Sequence, residues 1–253
     1  MTYLLSTLVR HLKIKFILAF ARFYGYAPLT RGAVYVFSYL TVPLAELFLI
    51  YIITKGAFVK FAIAGGLITV IATNGLSFIA DFAFLRLELK LQDLLVATEI
   101  SAGDYILALT VSNLIYSSPG IITYLVLAFI YHLLNITNFV PALFVLLLLL
   151  LNTSALGFFI GSLIPHVRYS WGIGSIMGTL LTILPPVFYP YYLLPNTIFE
   201  TVYPLPTTLA SLLIQNLTGL ISTKLVVQSL ILLVIETALF YYLSIKFSRW
   251  VSK

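Results

Sequence analysis

No cysteine occurs anywhere in the 253 residues, and Asp, Glu, Lys and Arg together make up only 9% of them. The first absence excludes disulfides, iron–sulfur clusters and thiolate zinc sites. The second lies far below the roughly 25% of a soluble domain. A chain this poor in charge cannot cover a water-facing surface, so an integral membrane protein is the expected class. Histidine is scarce too: His11, His132 and His166 lie far apart and form no metal-ligand spacing. There is no G-x-x-x-x-G-K-[ST], no H-E-x-x-H and no G-x-S-x-G. The sequence therefore offers no loop for ATP, no zinc-protease helix and no serine-hydrolase elbow. The N-terminus also lacks a continuous apolar core with a small-residue cleavage site, so no cleavable signal peptide is expected.

What is present is apolar: 61% of residues are hydrophobic, and mean hydropathy is +1.09. The net charge of +6 is read as a topology signal, with no nucleic acid partner implied. Residues 1–31 form a basic amphipathic stretch, expected to be an N-terminal interfacial helix that Gly25 and Pro28 end. A six-span domain, 32–253, follows. Its spans are expected at roughly 33–54, 60–84, 105–131, 139–163, 171–189 and 224–246, each near the roughly 20 residues needed to cross a bilayer. The fold class is thus an all-α integral membrane protein with six transmembrane helices.

Eleven Lys and Arg fall on the N-terminal side of this topology, and three (Lys55, Lys60, Lys224) on the other. The positive-inside rule then puts both termini in the cytoplasm, at the cell membrane. Residues 190–223 lie outside. Broken by Pro190, Pro195, Pro204 and Pro206, they are expected to form re-entrant or interfacial helices capping the outer end.

Residues 86–104 are the main polar interruption. They hold Arg86, Glu88, Lys90, Asp93, Glu99 and Asp104. Leu87, Leu91, Leu94 and Leu95 fall at helical spacing among them, giving a leucine face with a charged rim. Such a helix suits a groove in a soluble partner, or the plainer role of lying on lipid. Arg86 and Glu88 are read as pairing with the N-terminal helix or as solvated.

Three acids fall in or near the spans. Glu46 and Glu236 are candidates for a polar path or for pairing with a cation or with each other, against the plainer reading of a protonated, hydrogen-bonded acid. Asp81, near the inner end of its span, is expected to reach for the interface. The pairs Gly157/Gly161 and Gly174/Gly178 are read as packing faces within the subunit, as are Gly65, Gly66 and Gly75. Three Asn-x-Ser/Thr sequons, at Asn135, Asn152 and Asn216, are read as chance occurrences; the topology puts only the first and last outside.

In order and spacing, three stretches resemble the permease subunit of a type-2 ATP-binding-cassette exporter, the drug and polysaccharide export class. Residues 87–114, LELKLQDLLVATEISAGDYILALTVSNL, are similar to that family's coupling loop running into a helix, although Glu99 stands where the family has proline. LGFFIGSLIP at 156–165 is similar to the end of the fourth span. LPPVFYPYYLLP at 184–195 with YPLPTTLA at 203–210 resembles the Pro-broken signature before the last span, with Pro185 or Pro186 in place of its glycine.

The resemblance implies a chain without catalysis of its own, forming a substrate pathway by alternating access. It implies a separate ATPase subunit that holds ATP and Mg, and a second permease copy or a related permease. Arg86, Glu88, Asp93, Leu94, Leu95, Thr98 and Glu99 would couple to the ATPase. Pro186, Phe188, Pro190 and Pro195 would form an outer gate. The other readings are an ion-coupled carrier or channel and, further off, an intramembrane lipid-modifying enzyme. The 17 tyrosines and 19 phenylalanines suit an amphipathic cargo and equally suit interfacial belts.

Overall fold

The computed structural model describes residues 13–247, apart from the side chains of 33–36, 38 and 39. The leucines and Arg10 of the first dozen residues, and Arg249 and Lys253, lie outside the described residues. All regular structure among the described residues is helical.

The first helix, α1, runs as Ile14–Phe20, a π-helical turn Ala21–Tyr26, and Ala27–Arg31. Gly25 and Pro28 do not end it. Pro28 sits in the first turn of the last piece, directly after the π turn, and the chain stays helical through it. Gly25 lies in the π turn, pressed on a neighbouring helix; a Cβ there would stand 2.5 Å from the Ser112 carbonyl oxygen. The chain breaks only at Gly32, which is extended.

Then come α2 (Ala33–Ile53), α3 (Val59–Leu87), the short α4 (Leu91–Val96), α5 (Ala102–Ile130), α6 (Ile136–Leu163), α7 (Val167–Ile183), α8 (Asn196–Val202), α9 (Pro206–Leu217) and α10 (Val226–Phe247). Four of these, α3, α5, α6 and α10, are long and apolar enough to cross a membrane. The expected fifth span is shifted by about a turn, ending at Ile183 rather than 189. Pro185 and Pro186 follow, and proline disfavours helix in the residue before it as well as at its own position.

Helix α3 is the axis of the bundle. Of its most apolar window 89% is buried, against 17% for α10. Such burial needs small residues wherever neighbours approach. Gly65 lies under Val187 and Phe188, Gly66 under the Tyr124 ring, and Gly75 against Thr153. Within a bilayer, close packing of this kind takes the place of a hydrophobic driving force.

The connections sort into two ends. Turns 54–58 and 131–135 and the segment 184–225 share one end, where α9 is buried against α3, α6 and α10. Ser211 and Gln215 of α9 donate to the Pro186 carbonyl at 2.7 and 3.0 Å, holding the proline-broken strand in place. At the other end lie α1, residues 88–101 and the 164–166 turn. Phe20, Phe82, Tyr105 and Phe158 form an aromatic cluster there, with Phe82 and Phe158 centroids 3.9 Å apart.

Candidate functional site

A cavity of about 1060 Å³ opens on one side of α3. Five elements wall it: α1, α2, α3, α5 and α7. Helix α3 gives it a polar stripe, Thr73, Ser77 and Asp81, at four-residue spacing on one face. Helix α7 turns its smallest side chains inward, Gly174, Ser175, Gly178 and Thr179. Aromatic rings enter from three elements: Phe23 and Tyr24 from α1, Tyr116 from α5, and Trp171 from α7.

Two carboxylates face this space. The Ser77 hydroxyl donates to Asp81 Oδ2 at 3.3 Å, and Tyr24 also hydrogen-bonds Asp81. Asn113 Nδ2 donates to Ser77 Oγ at 3.1 Å and to the Asn74 carbonyl at 2.9 Å, fixing α5 to α3 behind the stripe. Glu46 of α2 also lines the cavity, and its Oε2 has no hydrogen-bond partner among the described residues. Arg31 is the cation on the lining.

From the sequence, Glu46 and Glu236 were both candidates for a polar path or for pairing with a cation or with each other; of the two, Glu46 lines the cavity. Glu236 lies on α10, beside Asn152 of α6, and is not on the cavity wall. Asp81, expected only to reach for the interface, is the acid that shares the cavity with Glu46. The signal was legible: Thr73, Ser77 and Asp81 recur every four residues. The glycine pairs divide as well. Gly157 and Gly161 pack on α3 as expected, and a Cβ on Gly157 would stand 2.6 Å from the Gly75 carbonyl oxygen. The α7 pair divides in turn: a Cβ on Gly174 would meet the Ile79 side chain of α3 at 3.8 Å, an ordinary contact, while Gly178 has nothing within 4 Å of such a Cβ and opens onto the cavity.

The polar segment is anchored rather than loosely laid on. Helix α3 runs on to Leu87, Lys90 takes a left-handed turn (φ 51°), and α4 follows. The leucine face splits. Leu95 is buried and Leu91 half-buried on the aromatic cluster, while Leu94 is 65% exposed. Glu88, Leu89, Lys90, Asp93 and Leu94 therefore make the outward edge. The Thr98 hydroxyl donates to the Leu95 carbonyl at 2.6 Å and closes α4.

Glu99 pairs with Lys13 of α1 at 2.6 Å. Asp104 forms a capping box with Ser101 at the start of α5 and also accepts the Lys13 backbone N–H at 3.2 Å. Among the described residues the link to α1 thus runs through Glu99 and Asp104. The Arg86 guanidinium turns back into the chain and donates to the carbonyls of Ser162 (2.6 Å) and Ile164, at the end of α6. Three or four carbonyls at a helix C-terminus lack helical donors, and a cation there is favoured by the helix dipole.

Of the proline-rich residues, Pro186 and Pro190 are buried, Phe188 is half-buried on Gly65, and Pro195 is exposed ahead of α8. None lines the cavity. Among the described residues no three His, Asp or Glu side chains come together as metal ligands.

A family model described as ABC-2 type transporter matches residues 21–210. No curated protein matches the chain.

Proposed function

The chain belongs to the ABC-2 type transporter family and is a multi-pass membrane permease, and from that premise we propose that it is the membrane-spanning subunit of an ATP-driven exporter. ATP and Mg would be held by a separate ATPase, and this chain would supply the substrate path. The observation that carries the reading is the cavity between α1, α2, α3, α5 and α7: roomy, part polar, and walled in part by α3 and α5, the helices that flank the segment expected to engage the ATPase.

Six spans follow if α2, at 21 residues, and α7, at 17 residues or about 26 Å, cross with the four longer helices. The Lys and Arg distribution supports cytoplasmic termini, because Lys13, Lys15, Arg22, Arg31, Arg86, Lys90, Arg168 and Lys246 gather at the end that carries 88–101. There the outward edge of Glu88 to Leu94 suits a groove on the ATPase. Leu95 seats α4 on the aromatic cluster, so force applied to that edge reaches α3 and α5, two walls of the cavity. Lys13 carries the same force into α1, a third wall. Two permeases, identical or related, would rock between inward and outward states as two ATPases close and part. The exposed apolar side chains of α2 and α7, such as Phe48 and Ile176, would meet lipid or that second permease.

The test is purification from the native membrane in mild detergent. A P-loop ATPase of similar abundance is expected to accompany the chain and to be released by Glu88→Lys with Asp93→Lys. A chain that purifies alone, or transport that survives those substitutions, overturns the reading.

A further inference from the structure

We propose that the cavity is built for an amphipathic organic cation, a single positive charge carried on an aromatic or apolar body. The proposal rests on the exporter reading of the same cavity and adds the class of its cargo. Its volume of about 1060 Å³ suits a drug-sized molecule. Its lining carries two carboxylates, Glu46 and Asp81, against one guanidinium, Arg31. A carboxylate at membrane depth is costly, roughly 2.5–3.5 kcal/mol on insertion scales, so two of them lining one cavity call for a cationic counterpart.

Neither carboxylate is used up within the chain. Among the described residues, Glu46 Oε2 has no hydrogen-bond partner, and Asp81 holds the hydroxyls of Ser77 and Tyr24, leaving acceptor capacity on its oxygens. A divalent metal is poorly served, because no third acid or histidine joins them among the described residues. The aromatic rings complete the fit. Phe23, 74% exposed, and Trp171, 62% exposed, offer open faces on two sides of the space, and ring faces attract organic cations. The small side chains of α7 leave room for the apolar body beside them.

Tetraphenylphosphonium and tetraphenylborate make a stringent pair of probes, since they share size and shape and differ in the sign of charge. The readout is Trp171 fluorescence in the full-length chain, purified with any partner it retains and carrying Trp250→Phe so that Trp171 is the reporter. The phosphonium is expected to quench it saturably and the borate not to. Asp81→Asn and Glu46→Gln are each expected to raise the half-saturating concentration about tenfold, the loss of one charge-assisted contact. If Asp81→Asn does not yield a monodisperse protein, Glu46→Gln, on a different helix, decides.

Equal or stronger binding of the borate overturns the proposal, as does an unchanged affinity in the variants or no saturable quenching by either ion. The exporter reading stands or falls apart from this, by ATP-dependent movement in vesicles holding both subunits. Cation binding without ATP-driven transport sinks that reading alone, and ATP-driven transport of other compounds without cation binding sinks this one alone.

Discussion

Helices α6 and α7 both lie against α3, and each presents two glycines four residues apart, yet they meet it in opposite ways. On α6, Gly157 and Gly161 bring two backbones together, with the α3 carbonyls of Gly75 and Ile79 at their surface. On α7, Gly178 faces open space and Gly174 meets only the Ile79 side chain, at 3.8 Å from such a Cβ; both line the cavity. A small-xxx-small pair states only that a face is shallow. What fills the hollow, a backbone or a cargo, depends on whether another helix reaches it. One side of α3 is thus a fixed seam and the other, on the function proposed above, a working surface.

The largest effect should come from breaking the seam. Gly157→Leu drives a side chain into the α3 backbone and should cost about 3 kcal/mol or more, read as a sharp fall in the detergent melting temperature and in folded yield. Next is the tie at the end of the same seam. Arg86→Ala leaves carbonyls at the end of α6 without their donor, for a loss of about 2 kcal/mol. Because the cap lies within the chain, the loss should be measurable with no ATPase present. An unchanged melting temperature with lost ATPase binding would move Arg86 to the docking edge instead.

Asp104→Ala removes the capping box of α5 and the acceptor of the Lys13 N–H, and should cost about 1 kcal/mol, visible as faster proteolysis between α1 and α5. The working surface should respond least in stability. Gly178→Ala should stay within about 0.5 kcal/mol of the parent. Gly178→Leu should also fold, but it should abolish transport by filling the cavity. A Gly178→Leu protein as unstable as Gly157→Leu would erase the distinction between the two faces.

Helix positions were largely legible, because a bilayer demands long apolar runs and these stand out in so charge-poor a chain. The boundaries that missed did so for local reasons. The fifth run was carried through Pro185 and Pro186, although proline stops helices, and Gly25 was taken as a terminator when it is a contact point on Ser112. The site was half legible. Glu46 was singled out, while Asp81 was passed over despite its place in the Thr73, Ser77, Asp81 stripe. Glu236 was chosen for its depth in its helix, and depth does not say which neighbour a side chain faces. The leucine face of residues 86–104 failed in a similar way. Three residues, 88–90, separate α3 from α4, with Lys90 left-handed, and on the reoriented α4 Leu94 lies outward while Leu95 turns in.

The sequence by itself determined the class of molecule, the order of its helices and the separation of its basic residues to one end. Each is a property of a contiguous stretch, set by the solvent that stretch must meet. The tertiary structure alone decided which acid shares a cavity with Glu46, which glycine pair is filled, and that Arg86 caps a helix. Those outcomes depend on partners far away in the chain: Arg86 reaches Ser162, 76 residues on, and Gly75 meets Thr153. In a helix bundle the surroundings of a side chain are supplied by other helices, and periodicity within one helix cannot say which of them will come near.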